Sequence, residues 1–191
     1  MRSSVALAPL PHRFTRTEYH CMGEAGLFLE ERVELLNGEI ITMSPKNSPH
    51  AATVYNLWST LSRLFGSSAL VRVQDPIILD DWSEPEPDIA VCQPDPYNYA
   101  REHPRADQVL LVIEVAGSSL SYDRNRKAPA YAASNIPVYW IVNLRDRRVE
   151  VRTDPDSVAK RYRSQQVASE NDELPLPGGD MVAVVDILPP V

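Results

Sequence analysis

A single glutamate interrupts one of the most apolar segments of this chain, and that position constrains the fold more than any other feature. Residues 109–116 read Val-Leu-Leu-Val-Ile-Glu-Val-Ala, a composition typical of a buried β-strand. Burial of an unpaired carboxylate is strongly unfavourable. Glu114 therefore needs a positively charged partner inside the fold, either a bound cation or a basic side chain such as an arginine in a buried ion pair.

A second acid has a similar setting. Asp88 follows Pro87 and precedes the apolar run Ile-Ala-Val-Cys at residues 89–92. Neighbouring strands lie about 4.8 Å apart, so carboxylates on two adjacent strands can share one cation. Divalent cations such as Mg²⁺ prefer oxygen ligands and usually retain several waters. Taken alone, however, an aspartate after a proline is more typical of a turn or a capping residue.

A basic segment, Asp-Arg-Asn-Arg-Lys at residues 123–127, follows the second acid. Asp123, Lys127 and Tyr131 are spaced i, i+4 and i+8, which places them on one face of a helix. If that helix packs beside Glu114, Lys127 can orient or deprotonate a cation-bound water and stabilise charge on a phosphate. The alternative is an exposed ion pair with Asp123. Pro129 predicts a kink, and Tyr131 is expected to pack in the core.

Three further side chains are interpreted from their local sequence pattern. Glu34 lies between Val33 and Leu35, so strand alternation points it away from them, and the sequence alone favours solvent exposure. His50 stands at the start of a predicted helix, where a histidine is more often a surface or capping residue. Trp58 is predicted to be buried on the apolar face of that helix.

The order of the predicted elements indicates a mixed α/β fold with a central sheet flanked by helices, preceded by an N-terminal helix and a hairpin. Helices are predicted at residues 15–26, 48–66 and 118–134, and strands at 32–36, 39–43, 70–73, 77–79, 89–92, 109–116, 138–142 and 148–151. A capping box at residues 15–18 begins the first helix, and Asn37-Gly38 predicts a tight hairpin turn. Residues 1–13 are predicted to form an irregular arm and residues 14–191 a single domain.

Composition excludes several classes of protein. The formal net charge of −7 argues against broad, nonspecific nucleic-acid binding, yet residues 124–163 hold ten Lys and Arg against four Asp and Glu. This basic region is either a face for a polyanion or an ordinary solvated surface. The two cysteines have no metal-binding spacing, and the chain has no apolar run long enough for a membrane span. We therefore expect no membrane partner and a cytoplasmic location.

Taken in order, these motifs resemble the Uma-two family, a branch of the PD-(D/E)xK nuclease superfamily. The resemblance covers roughly residues 15–155 and rests on segments 33–40, 43–45 with His50, 87–91, 112–115, 123–131 and 136–142. It implies a restriction-endonuclease-like core in which Asp88 and Glu114 bind a metal ion and Glu34 is an additional metal ligand.

The resemblance also implies a catalytic role for Lys127. The superfamily's usual lysine lies two residues after the second acid, where this chain has Ala116, and Lys127 takes its place. Residues 116–119 read Ala-Gly-Ser-Ser, whereas relatives read closer to Leu-Ser-Pro-Ser. With the family pattern, His50 becomes a candidate to contact a phosphate or to support a metal ligand.

The resulting hypothesis is metal-dependent phosphodiester hydrolysis by a DNA endonuclease that uses Asp88, Glu114 and Lys127 with Mg²⁺ or Mn²⁺. Double-strand cleavage requires two active sites, so a homodimer is expected. Two alternatives remain open: a nuclease fold that only binds DNA or regulates, and a two-carboxylate hydrolase such as a glycosidase, which needs no cation.

Overall fold

A six-stranded mixed sheet is the centre of the molecule. The computed structural model describes residues 10–190. In chain order its elements are α1 (Arg16–Glu24), β1 (Val33–Leu36), β2 (Glu39–Thr42), α2 (Ser48–Phe65), β3 (Leu70–Val73), β4 (Ile89–Cys92), β5 (Val109–Ala116), α3 (Leu120–Tyr122), a π-helical turn (Asp123–Lys127), α4 (Ala128–Ala133), β6 (Val138–Asn143), β7 (Arg148–Asp156), β8 (Arg161–Ser169), β9 (Glu173–Pro175), β10 (Met181–Ala183) and α5 (Val184–Ile187). The sheet order is β3-β4-β5-β6-β7-β8, and the predicted mixed α/β fold is confirmed.

The two faces of the sheet are covered by different helices. Of the neighbouring pairs in this sheet, β5 and β6 run parallel and the others are antiparallel. Because successive side chains of a strand point to opposite faces, alternate residues of β5 enter different apolar clusters. Leu111, Ile113 and Val115 pack with α2, whereas Val112 and Ala116 pack with α4. Glu114 lies between Val112 and Ala116 in this alternation, so its side chain points to the face of the sheet that α4 covers.

The N-terminal helix and hairpin form as predicted. Thr15 and Glu18 make a complete capping box at the start of α1. Asn37 and Gly38 both have positive φ, 53° and 77°, as a two-residue type I′ turn requires. The hairpin is joined to the segment before β4, because the N–H of Glu84 donates to the carbonyl of Leu35 at 2.8 Å.

Gly38 gives a first stability prediction. A Cβ at Gly38 would lie 2.7 Å from Cβ and 3.2 Å from Cα of Arg13, and its φ of 77° strains any other L-residue. We expect Gly38→Ala to lower the free energy of unfolding by about 1–3 kcal/mol in a urea titration. Gly117→Ala is the control, because a Cβ there meets no atom within 4 Å. Equal stability of the two variants would contradict this account of the turn.

The predictions for residues 77–79 and for Trp58 are wrong. Residues 77–79 are not a strand, because their N–H groups bond to loop carbonyls: Ile77 donates to Pro85 and Ile78 to Pro104. Trp58 is 42% exposed and not in the core, where Trp140 does lie, fully buried. The buried stripe of α2 runs through residues 54, 57, 61 and 65, so Trp58 falls at its edge, against Tyr55.

The described ends of the chain add two facts. Residues 10–15 contain no helix or strand, and the rest of the predicted arm, residues 1–9, lies outside the described residues. Among residues 10–190, no helix combines the length and apolar character needed to cross a bilayer.

Candidate active site

Asp88 and Glu114 lie next to each other on the face of the sheet that α4 covers. Strands β4 and β5 pair Ile89 with Ile113, so the two acids occupy the next position along both antiparallel strands. Alternation turns both side chains away from the face on which Ile89 and Ile113 pack. Asp88 is 8% exposed and Glu114 4%. The sheet therefore places two carboxylates side by side at a largely buried position.

Three donors fix the carboxylate of Asp88. Gln74 Nε2 donates to Oδ1 at 3.0 Å, and the backbone N–H of Val115 donates to Oδ2 at 2.9 Å. His50 Nε2 lies 3.1 Å from Oδ2. Burial by itself would raise the pKa of Asp88, but His50 and the two hydrogen bonds hold that pKa below its usual value. Asp88 is thus an ionised and oriented oxygen donor.

Glu114 is bonded on one oxygen only. Its Oε1 accepts hydrogen bonds from Lys127 Nζ at 2.9 Å and from the Tyr131 hydroxyl at 2.7 Å. No hydrogen bond within residues 10–190 reaches its Oε2. Burial raises the pKa of Glu114 to about 8, against the opposing charge of Lys127. The environment therefore disfavours the negative charge of this carboxyl unless more positive charge is supplied.

Lys127 lies between two acids. Its ammonium is 2.9 Å from Glu114 Oε1 and 3.2 Å from Glu34 Oε2, and the side chain is almost fully buried. Burial alone would lower the pKa of Lys127, but the charges of Glu114 and Glu34 hold it above its usual value. The alternative of an exposed pair with Asp123 is therefore wrong.

Glu34 is buried, so the expectation of solvent exposure is wrong. Its Oε2 accepts the backbone N–H of Glu86 at 3.1 Å, and its Oε1 accepts the Tyr122 hydroxyl at 3.3 Å. The physical reason is a long-range contact: the bridge between Leu35 and Glu84 brings the segment before β4 against β1, and the Glu86 N–H of that segment reaches Glu34. That segment and α3 enclose Glu34.

The helix that carries Lys127 is interrupted. Between α3 and α4 the turn Asp123–Lys127 is π-helical, and the Ala128 N–H donates to the carbonyl of Asp123. Pro129 lacks the N–H that a regular helix requires, and the helix widens in the turn just before it. The predicted face nevertheless survives, because Lys127 and Tyr131 both bond Glu114. Asp123 is held by Ser119 Oγ at 2.7 Å, and burial raises the pKa of Asp123 to about 6.

A cavity of about 310 Å³ joins these groups. Five acidic residues line it, Glu34, Glu86, Asp88, Glu114 and Asp123, together with two lysines, Lys46 and Lys127. The rest of the lining comes mainly from segments 41–47 and 117–119. Acids therefore exceed lysines at the site, and the cavity favours an added cation.

The residues present suit a divalent cation only in part. Carboxylate oxygens are the donors that Mg²⁺ prefers, and Mg²⁺ is commonly bound by one or two carboxylates with waters. Asp88 and the free Oε2 of Glu114 match that chemistry. However, no group of three or more His, Cys, Asp or Glu in the described part of the chain is arranged to hold a metal ion. The Lys127 ammonium lies between Glu34 and Glu114, so a metal-binding role for Glu34 stays a prediction.

Sequence reasoning missed two residues of the site. Gln74 bonds Asp88 but lies in a loop with a φ of 54°, and no motif marks it. Tyr122 bonds Glu34 and lies five residues before Lys127. In a regular helix that spacing points to different faces, and it is the π-helical turn that brings both side chains to Glu34. His50, by contrast, was a candidate and does contact Asp88.

Comparison with known proteins identifies the family. The family model Uma2, described as "Putative restriction endonuclease", matches residues 17–184. The chain belongs to the Uma2 family. The resemblance inferred from the motifs is thereby confirmed. Among curated proteins, none matches the chain.

The fold of this chain is similar to that of a solved structure. It is the crystal structure of a protein from Anabaena variabilis, described as a "putative nuclease belonging to DUF820". The two chains share 16% identity with a TM-score of 0.67, and the match covers 91% of this chain and 97% of the other. At this identity the likeness shows the fold alone. It is membership of the Uma2 family that supports a nuclease and points to a nucleic-acid substrate.

The basic region of this Uma2 protein is partly neutralised. Six of its ten cations form ion pairs with acids: Arg124, Arg126, Lys127, Arg147, Arg152 and Arg163. Glu150, for example, is bonded by both Arg124 and Arg152. The net charge of the region therefore overstates the positive charge that is free to meet a polyanion.

Proposed function

We propose that this protein hydrolyses phosphodiester bonds of DNA in a reaction that depends on a divalent cation, Mg²⁺ or Mn²⁺. One observation carries the proposal: Asp88 and Glu114 lie side by side in one cavity, and the ammonium of Lys127 is 2.9 Å from Glu114. A buried arrangement with this excess of acid is unfavourable without added positive charge. Membership of the Uma2 family supports a nuclease over other hydrolases.

In the proposed reaction, Asp88 and Glu114 would hold the cation. When bound, it would supply an activated water and offset the charge of a phosphate. Asp88 is suited to this task because Gln74, His50 and the Val115 N–H keep its oxygens in place. Orientation of this kind brings the reacting groups together before the chemical step.

Lys127 stabilises negative charge in the proposed reaction. Two carboxylates within 3.2 Å of the ammonium favour the protonated form of Lys127. A protonated lysine cannot accept a proton, so we assign Lys127 to charge stabilisation and not to proton abstraction. Glu34 and Tyr122 are positioning residues in this scheme, because Glu34 contacts Lys127 and Tyr122 contacts Glu34.

A plasmid-nicking assay tests the proposal. We expect conversion of supercoiled DNA to nicked or linear DNA in Mg²⁺ or Mn²⁺ and none in excess chelator. DNA binding without cleavage in any divalent cation would favour the binding or regulatory alternative. Cleavage that survives complete removal of metal would contradict the metal role. The homodimer and the cytoplasmic location stay predictions.

A further inference from the structure

Only one of the two lysines in the cavity has a carboxylate partner. Lys127 is paired with Glu114 and Glu34. Lys46 lines the same cavity but forms no ion pair within residues 10–190, and it is partly buried. Burial, followed by the charge of Arg32, lowers the pKa of Lys46, while the charges of Asp88, Glu86 and Glu114 oppose that change. A partly desolvated ammonium without an ion-pair partner is stabilised by an anion that reaches it.

Lys46 lies in the segment that connects the hairpin to α2. Residues 41–47 of this segment line the cavity, and His50 follows in the first turn of α2. Because five acidic residues line the cavity, an approaching polyanion is repelled unless a cation meets it there. The ammonium of Lys127 is paired with two acids, whereas Lys46 is the cavity lysine that has no carboxylate partner in the described residues.

Gly117 provides an independent observation. It lines the cavity three residues after Glu114, and a Cβ built on it meets no atom within 4 Å. Its φ is outside the positive range that favours glycine. Neither backbone strain nor packing therefore requires a glycine at this position. The absence of a side chain leaves space in the lining of the cavity.

We propose that Lys46 contacts a phosphate of the DNA backbone next to the bond that is cleaved, and that Gly117 leaves the space through which the sugar–phosphate chain enters. This inference rests on the proposed function and adds a substrate-binding subsite to it. Lys46 is thus a positioning contact for the substrate and takes no part in bond cleavage.

The first test measures DNA binding by Lys46→Ala. Fluorescence anisotropy of a labelled duplex, with Ca²⁺ in place of Mg²⁺, is recorded between about 50 and 200 mM salt. Loss of one phosphate contact is expected to raise Kd by about threefold to tenfold and to reduce the slope of log K against log salt by about 0.9. In cleavage assays with Mg²⁺, KM should rise while kcat at saturating DNA stays near the parental value.

Arg63→Ala is the matched control for Lys46→Ala. Arg63 is an exposed cation of α2 without an ion pair in residues 10–190, and it lies about 22 Å along the helix from Ser48. Its replacement should leave Kd and the salt slope unchanged. Equal effects of the two variants, or no effect of Lys46→Ala, would overturn the assignment of Lys46.

A size series at Gly117 tests the entrance. We expect Gly117→Ala and Gly117→Leu to reduce cleavage progressively while the melting temperature changes little, because the added atoms enter open space. Parental cleavage by Gly117→Leu would overturn the role of Gly117. A parent protein that neither binds nor cuts DNA would overturn the proposed function as well, whereas normal cleavage with no effect at Lys46 or Gly117 overturns this inference alone.

Discussion

Replacement of Lys127 by methionine is expected to reduce DNA cleavage by about a hundredfold or more, because the variant loses the positive charge in the centre of the site. Methionine fills a similar volume, so the change tests charge more than packing. Lys127→Arg is expected to stay inactive. A planar guanidinium does not match a position that holds a compact ammonium 2.9 Å from Glu114 and 3.2 Å from Glu34.

The same substitution should lower stability. Removing one partner of a buried ion pair leaves uncompensated charge and costs about 3–5 kcal/mol, which a urea titration can resolve. Arg126→Met is the control, since Arg126 pairs with Glu39 on an exposed surface and such pairs contribute about 0–1 kcal/mol. Near-parental cleavage by Lys127→Met would show that Lys127 has no role in the reaction, and equal stability of the two variants would show that its buried ion pairs stabilise the fold no more than an exposed pair does.

The setting of each acid could be predicted from local rules, because alternation along an apolar strand decides which face a side chain takes. That Asp88 and Glu114 share one site was implied by the family resemblance, since the register of β4 against β5 is a long-range feature. The i, i+4 spacing of Lys127 and Tyr131 likewise predicts that both side chains point the same way. In the structure both acids are buried, and Lys127 and Tyr131 both bond Glu114, although a π-helical turn interrupts the helix that carries Lys127.

The burial of Glu34 could not be predicted in this way. It depends on the contact of β1 with residues 84–86, about fifty positions further along the chain, where the Glu86 N–H bonds Glu34. Tyr122 reaches Glu34 only because a π-helical turn changes the spacing of side chains around the helix. Long-range pairing and local departures from ideal geometry leave little trace in a single sequence.

Glu114→Gln and Asp88→Asn are expected to abolish both DNA cleavage and the stabilisation of the protein by Mg²⁺. A ligand that binds only the folded state at a hundred times its Kd adds about 2.7 kcal/mol, and the parent protein should gain stability in this way. Each variant removes a charged oxygen donor from the proposed cation site, so its melting temperature should be nearly the same in Mg²⁺ and in chelator. In chelator, Glu114→Gln should be at least as stable as the parent, because it relieves repulsion among the five acidic residues that line one cavity.

Glu173→Gln separates this effect from a general loss of negative charge. Glu173 is exposed on β9 and does not line the cavity, so its replacement should leave both cleavage and the Mg²⁺-dependent rise in melting temperature intact. If Mg²⁺ stabilised Glu114→Gln and Asp88→Asn as much as the parent, the cation would bind elsewhere. The two acids would then be a buried charge cluster balanced by Lys127 and His50 alone, and the proposed metal-dependent reaction would lose its basis.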